Sequence, residues 1–517
     1  MSALTTGAET IVSVLDRRAS EQRSSEFLVF DDLEGGVHHR SYEVMAARAG
    51  LTAGLLDGHG IAPGDRVHVH LWNRPEFFDV WFGAARLGAV IVPTNPLSTA
   101  DELAYVVRHA GTKLSITQPD LLDTVSSAVG DRPVLVTGES GRAGSFDDAL
   151  AAASVIEGSR PAPTDLAAVL YTSGTTSRPK GVLVTHANYL HVGEVVAQHL
   201  RVTPDDRMLI TLPLFHANAQ YYSTMSALVT GSSVIVMSRF SASRWGRVAR
   251  DHHATLASLF AAPIRMLLAQ PRADDDANNE LRAVIFSQNV TEEQLAEFES
   301  RFGCPLLQLY GMTETIAPPT LNPLYGERRN MTIGRPTLGA RLRVVTEGGT
   351  DVTDGEVGEL LVGGDPGTTL MAGYLGDEDA TRRALVGGWL RTGDNVRVDE
   401  DGYFHFVDRA KDMIKRAGEN VSASEIESAI NLHPAVFESA AIGVPDSMRD
   451  EAIRAYVVLA ENQRVTEDEL TRWCATRLAP FKVPGSIEFV DGLPRTSVGK
   501  IQKEELRQRR APGRGKV

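Results

Sequence analysis

Short β-rich runs alternate with helical periodicity along most of this chain, and that alternation restricts its fold more than any other feature. The run VIVPT at 90–94 leads directly into STADELAYVVRHAG. In that segment Thr99 and Glu102 have capping-box spacing. Leu103, Val106, Val107 and Ala110 fall on one helix face, and Gly111 stands where a C-cap belongs. SSVIVM at 232–237 and SIEFV at 486–490 are further strand-like runs. The pattern predicts an α/β fold with largely parallel sheets. A chain of 517 residues exceeds what one core supports, so at least two domains are expected.

A joint is expected near FVDRAKDMIKRAGEN at 406–420, where charge rises after the turn DEDGY at 399–403. Beyond it the pattern predicts a helix from Ser424, strands through AAIGV and IRAYVVLA, and a helix from Thr466. About 100 residues of this kind suit a small α+β domain. The tail RQRRAPGRGKV reads as a solvated end. A net charge of −14 argues against nucleic acid or an anionic membrane as main partner. Cys304 and Cys474 lack metal-type spacing, and no disulfide scaffold is expected. The start MSALTTGAETIVSVLDRR carries no secretory pattern, and no run approaches the roughly 18 apolar residues of a membrane span. A cytoplasmic protein without a membrane span is the expectation.

The stretch LYTSGTTSRPKGVLVTH, residues 170–186, has the composition of a phosphate cradle. Gly174 permits close approach, Thr172, Ser173, Thr175, Thr176 and Ser177 offer hydroxyls, and Lys180 offers charge. A Walker loop fits badly: Pro179 replaces its second glycine, Gly181 replaces its metal-binding hydroxyl, and GVLV reads as a strand. On these residues alone, a Ser/Thr/Gly surface turn is an equal alternative.

Four islands bear on that choice: LYGMTETI with Tyr310, Thr313 and Glu314; RTGD with Asp394; DRAKDMIKRAGEN with Arg409 and Lys411; and LPRTSVGKIQK with Lys500. Taken singly, each reads better as a cap, a turn or solvated charge. As an ordered set with YTSGTTSRPKGV they resemble the adenylate-forming superfamily of acyl-CoA synthetases, adenylation domains and firefly-type luciferases. The resemblance runs from about residue 64 to residue 503. YGMTETI, FVDRAKDMIKRAGENVS and DSMRDEAIRAYVVL are most similar to crotonobetaine/carnitine-CoA ligases and their relatives.

The resemblance implies a large N-terminal adenylate-forming domain of mixed and parallel sheets with helices, residues 1–409. It also implies a small mobile α+β C-terminal domain, residues 410–517, with its hinge near Lys411. The implied activity joins a carboxylate to ATP as an acyl-adenylate, releases pyrophosphate, and then passes the acyl group to coenzyme A. Thr172, Ser173, Gly174, Thr175, Thr176 and Lys180 would hold the β- and γ-phosphates, and Glu314 would bind Mg2+. Thr313 would meet the α-phosphate, Tyr310 the adenine, Asp394 the ribose hydroxyls, and Arg409 the ribose or phosphate. Lys500 would bridge the substrate carboxylate and α-phosphate as a compact point charge. After rotation, Lys415 to Asn420, with Gly418 allowing close approach, would meet the pantetheine arm; a plain turn is the other reading of Gly418.

The acid pocket is expected beside LPLFHANAQYY, with His216 a wall residue near the carboxylate or a satisfied structural histidine. IFSQNVTEEQL departs from the family, with Ser287, Gln288 and Asn289 replacing glycines; Ser177 also replaces a frequent glycine. Asn218, Gln220, Tyr221 and Tyr222 are expected to add polar groups, which favours a small or polar acid over a long acyl chain. The alternatives are an adenylating enzyme with a carrier-protein thiol, an amine or another acceptor, and an inactive nucleotide-binding scaffold. Assembly into a homo-oligomer is left open.

Overall fold

The computed structural model describes residues 9–138, 140–141, 143–156, 161–172, 179–288, 290–409, 412–416, 419–446, 450–495 and 501–508. The chain forms two compact units. One comprises Met1–Gln288, Gln294–Leu342 and Val362–Leu390; the other comprises Asn289–Glu293, Arg343–Leu361 and Arg391–Val517.

The first unit contains two sheets. In the seven-stranded sheet, Leu166–Thr172, Val90–Pro93, Arg66–His70, Leu114–Thr117 and Val134–Val136 lie side by side and parallel. Lys180–Thr185 and then Gly373–Tyr374 extend its edge antiparallel. The nine-stranded sheet has six parallel strands at its centre, from Leu306–Tyr310 to Glu26–Asp31, and antiparallel edges. Val90–Pro93 and Leu114–Thr117 are buried at every residue, as strands covered by helices on both faces must be. The expectation of largely parallel sheets thus holds for the centres, while local pairing reverses at the rims.

The helix Ala100–Ala110 has the expected ends. Thr99 accepts from the Glu102 amide, Glu102 Oε2 accepts from the Thr99 amide at 2.8 Å, and Gly111 is left-handed at φ 61°. Pro75 opens the helix Pro75–Leu87, whose Phe77, Phe78, Trp81 and Phe82 form an aromatic core with Phe27, Tyr42 and Tyr189. Burying several aromatic side chains of this size dominates core energetics.

In the second unit, residues 394–398 and 404–409 pair antiparallel through the turn read at DEDGY, where Asp399 O accepts from Gly402 N at 2.9 Å. A further sheet orders Glu419–Val421, Ile414–Arg416, Asp450–Leu459 and Val436–Asp446, with Ser486–Phe489 parallel to Asp450–Leu459. Helices Ala423–Asn431 and Glu467–Ala475 cover one core with Ile414, Ile453, Val457 and Leu470. The first of these helices is capped by Ser422, not started by Ser424. Cys304 and Cys474 are buried free thiols. Among the described residues no helix is long and apolar enough to cross a membrane.

Candidate active site

Lys180 begins the strand that returns from residues 173–179. Its register partner is Thr172, at the end of the strand Leu166–Thr172. The helix His186–Leu200 follows only after the second strand. Two antiparallel strands thus flank residues 173–178, and the element after them is a strand, not the helix of a Walker site. Ser173, Gly174, Thr175, Thr176 and Ser177 lie outside the described residues.

Downstream, Tyr310 ends a central strand of the nine-stranded sheet and is buried. The chain then closes tightly: Met312 N donates to Thr315 Oγ1, and that hydroxyl donates back to Met312 O, both at 3.0 Å. Ile316, fully buried, is held at φ 62°, where a β-branched residue costs on the order of 1–3 kcal/mol. This closed turn presents Thr313 and Glu314. Tyr221 donates its hydroxyl to Thr313 O at 3.4 Å, and the Tyr222 hydroxyl occupies the space that a Cβ on Gly311 would need. Both tyrosines sit on the π-helix Ala219–Met225, so LPLFHANAQYY and YGMTETI meet there.

The Glu314 side chain is only 7% exposed. Tyr374 donates its hydroxyl to Glu314 Oε1 at 3.0 Å, and Met371 N donates to Glu314 O at 3.1 Å. Lys180 Nζ lies 4.8 Å from the centroid of the Tyr374 ring. Tyr374, unmarked by any sequence signal, therefore joins the lysine to the carboxylate. Burial, and then the Glu314 charge, push its phenol well above the ordinary range, so it remains a donor.

Near His216, two buried amides fix the loop. Asn73 accepts from Leu214 N at 2.7 Å and donates to Leu212 O and Met237 O. Gln220 donates to Leu214 O at 2.7 Å and accepts from the Tyr189 hydroxyl. Gln220 is fully buried and committed at both ends of its amide, so it braces the loop instead of supplying a pocket group. Asn218 accepts from Ser258 at 2.9 Å. The His216 ring packs 6.2 Å from both Phe215 and Phe260. Gln288 has φ 76°, so a glutamine sits in a conformation suited to glycine, with Gln308 donating to its carbonyl at 3.3 Å.

In the second unit, Asp394 and Arg409 are register partners, with Arg409 Nε 3.0 Å from Asp394 Oδ1. Asp394 N donates to Thr392 Oγ1 at 3.1 Å, and Gly393, at φ 70°, turns the chain. Lys411, Gly418 and Lys500, and the side chain of Lys415, lie outside the described residues. The helix Lys503–Gln508 that follows Lys500 is fixed by Lys503–Glu427 (2.7 Å) and Arg507–Asp412 (2.8 Å).

Among the described residues no three His, Cys, Asp or Glu side chains could enclose a metal. A single buried carboxylate suits Mg2+ shared with phosphate oxygens, a cation seldom held in an all-protein cage. Glu314 fits: one oxygen is held by a phenol, and no described lysine or arginine forms an ion pair with it.

The AMP-binding enzyme model matches residues 15–375, and the AMP-binding enzyme C-terminal domain model matches residues 425–500. A crotonobetaine/carnitine–CoA ligase of Citrobacter koseri is 36% identical over 97% of this chain and 99% of its own length. ATP-bound MatB from Rhodopseudomonas palustris superposes with a TM-score of 0.87 at 30% identity, over 96% of this chain and 98% of that one. A benzoate CoA ligase from Burkholderia xenovorans gives 0.88 at 26% identity, over 97% and 100%. With matches spanning nearly its full length, the chain belongs to the AMP-binding enzyme family.

Proposed function

We infer that this chain is an ATP-dependent, AMP-forming acyl-CoA ligase that acts on a small or polar carboxylic acid. The observation that carries the reading is Lys180, at the end of a strand–loop–strand hairpin, joined through Tyr374 to the buried Glu314. Carboxylate attack on ATP sets anion against anion, so the site must offset charge before it can align the reactants. Residues 172–176 and Lys180 hold the phosphates, and Thr313 contacts the α-phosphate. Glu314 would hold Mg2+, which would supply charge neutralisation on the phosphate oxygens. Tyr310 meets the adenine, Asp394 the ribose and Arg409 the ribose or phosphate. Lys500 stabilises charge at the forming acyl–phosphate bond. Residues 1–409 bind ATP and the acid. Residues 410–517 rotate about Lys411, removing Lys500 and bringing Lys415 and Gly418 toward coenzyme A. The polar residues Ser287, Gln288 and Asn289, standing where the family has glycines, support the small or polar acid.

A pyrophosphate-release screen with and without coenzyme A tests the reading. Its panel covers short, betaine-type, dicarboxylic, aromatic and long-chain acids. A small or polar acid should turn over and yield a thioester detected by mass; pyrophosphate without thioester would move the acceptor elsewhere. Lys500→Ala should lower the adenylation rate by about 10²-fold or more. It should spare thioester formation from supplied acyl-adenylate, and an unchanged first step would remove Lys500 from that role.

A further inference from the structure

We propose that Tyr374 is a positioning residue for the cation–ATP site, setting the orientation of Glu314 and the place of Lys180 together. The proposal rests on the reading of Glu314 and Lys180 given above. Tyr374 lies on a two-residue strand that closes the edge of the seven-stranded sheet, with Gly373 opposite Leu183 and Tyr374 opposite Val182. Ala372 N donates to Leu183 O at 3.0 Å, and Leu375 N donates to Gly181 O at 2.8 Å. This edge is fastened further. Thr185 Oγ1 donates to Gly367 O at 2.7 Å, and Asn188 Nδ2 donates to Thr368 O and Leu370 O at 2.8 and 2.9 Å. Tyr374 N donates to Thr381 Oγ1 at 2.9 Å. The backbone under the ring is therefore fixed relative to the Lys180 strand.

From that base the ring works at two points. Its face lies under the Lys180 ammonium, and its hydroxyl donates to Glu314 Oε1. Met371, on the same segment, holds the Glu314 carbonyl, so both the main chain and the side chain of Glu314 are fastened to it. A phenol suits this task better than a lysine or arginine would. It fixes one carboxylate oxygen without neutralising the charge, so the other oxygen keeps its attraction for a divalent cation. A cationic donor would compete with that cation. The face of the same ring limits where the lysine can rest.

Calorimetric titration of the full chain with ATP, in Mg2+ and in EDTA, tests the proposal without requiring turnover. Tyr374→Phe keeps the ring beneath Lys180 and removes only the hydroxyl. Its ATP affinity in Mg2+ should weaken about tenfold, the scale of one hydrogen bond to a charged group, while affinity in EDTA stays at the parent value. Combined with Glu314→Gln, it should cost no more than Glu314→Gln alone. Tyr374→Leu should weaken ATP binding in EDTA as well, because the lysine loses its support. Equal losses of Tyr374→Phe with and without Mg2+, or full additivity with Glu314→Gln, would overturn the proposal. Thermal unfolding of each variant identifies those that fold, and Tyr374→Trp replaces any that does not. Absence of ATP binding by the parent chain would sink the functional reading itself, a different result from a normal parent with an unaffected variant.

Discussion

Two buried carboxylates, Glu314 in one unit and Asp394 in the other, are stabilised in opposite ways. Asp394 is 1% exposed and has a cation: Arg409 Nε lies 3.0 Å from its oxygen, across a hairpin whose register sets the pair. Glu314, 7% exposed, has a neutral phenol and no ion-pair partner among the described residues. Removing a charge from water costs several kcal/mol unless it is paired, and Arg409 supplies that pairing for Asp394. On the reading proposed above, Glu314 is left to meet the cation that arrives with the nucleotide. The contrast is between a carboxylate that already has its cation, and on the proposed reading also meets the ribose, and one whose described partner is neutral.

The largest expected effect of breaking this contrast is on activity. Glu314→Gln keeps an oxygen for the Tyr374 hydroxyl but removes the charge. Loss of a partner behind a metal ligand typically costs 10–100-fold, so if Glu314 holds the cation as proposed, its loss should lower adenylation by more than about 100-fold. Stability should not fall and should rise by about 1 kcal/mol or more, because a buried charge without an ion-pair partner among the described residues disappears. Asp394→Asn should lower stability as well as weaken the ribose contact of the proposed reading. Breaking a fully buried ion pair costs about 3–5 kcal/mol, but Arg409 keeps 34% of its side-chain surface in water, so about 2 kcal/mol is expected. Denaturant unfolding and pyrophosphate release measured on both variants decide the matter. Similar stability losses in the two would erase the distinction drawn between the carboxylates.

What the sequence discloses about these sites follows from how local the determining interactions are. The capping box at Thr99 and Glu102, the strand after Lys180 and the DEDGY turn involve neighbours within a few residues, and all three are found in place. Tyr374 is another matter. It reaches Lys180 only because two residues from far downstream join the edge of that sheet, and a two-residue strand has no periodicity to read. The sequence places Gln220 among the pocket's polar groups, yet its amide is consumed by Tyr189 and Leu214, because a buried amide must satisfy both ends. The π-helix Ala219–Met225 and the left-handed Ile316 likewise depend on packing imposed from elsewhere. Composition hides such features because it records residue types and not the contacts that strain them.

A third class of buried ionisable group sharpens the contrast with the smallest effect. His68 and His70 are fully buried on one strand of the seven-stranded sheet, and both turn toward Thr94 Oγ1 at 2.8 Å. Where Glu314 and Asp394 are held beside a donor or a cation, these rings hydrogen-bond only to hydroxyls among the described residues. Burial pulls His68 down to about 3, with the neighbouring His70 adding to it; burial pulls His70 down to about 4, partly opposed by Asp120. The sign follows from which state takes up protons. Above about pH 7 the rings are neutral whether the chain is folded or not, and their contribution to stability is complete. As pH falls through about 6.5, the unfolded chain binds protons that the folded chain refuses until near 4 or 3. Stability then declines by up to about 1.4 kcal/mol per pH unit for each ring. Between pH 6.5 and 5, above the range of ordinary carboxylates, denaturant unfolding of His70→Asn should lose about one such increment of slope relative to the parent chain. An unchanged slope would mean that the strand admits water or a proton in the folded state, and that uncompensated charge in this sheet is tolerated more readily than its packing implies.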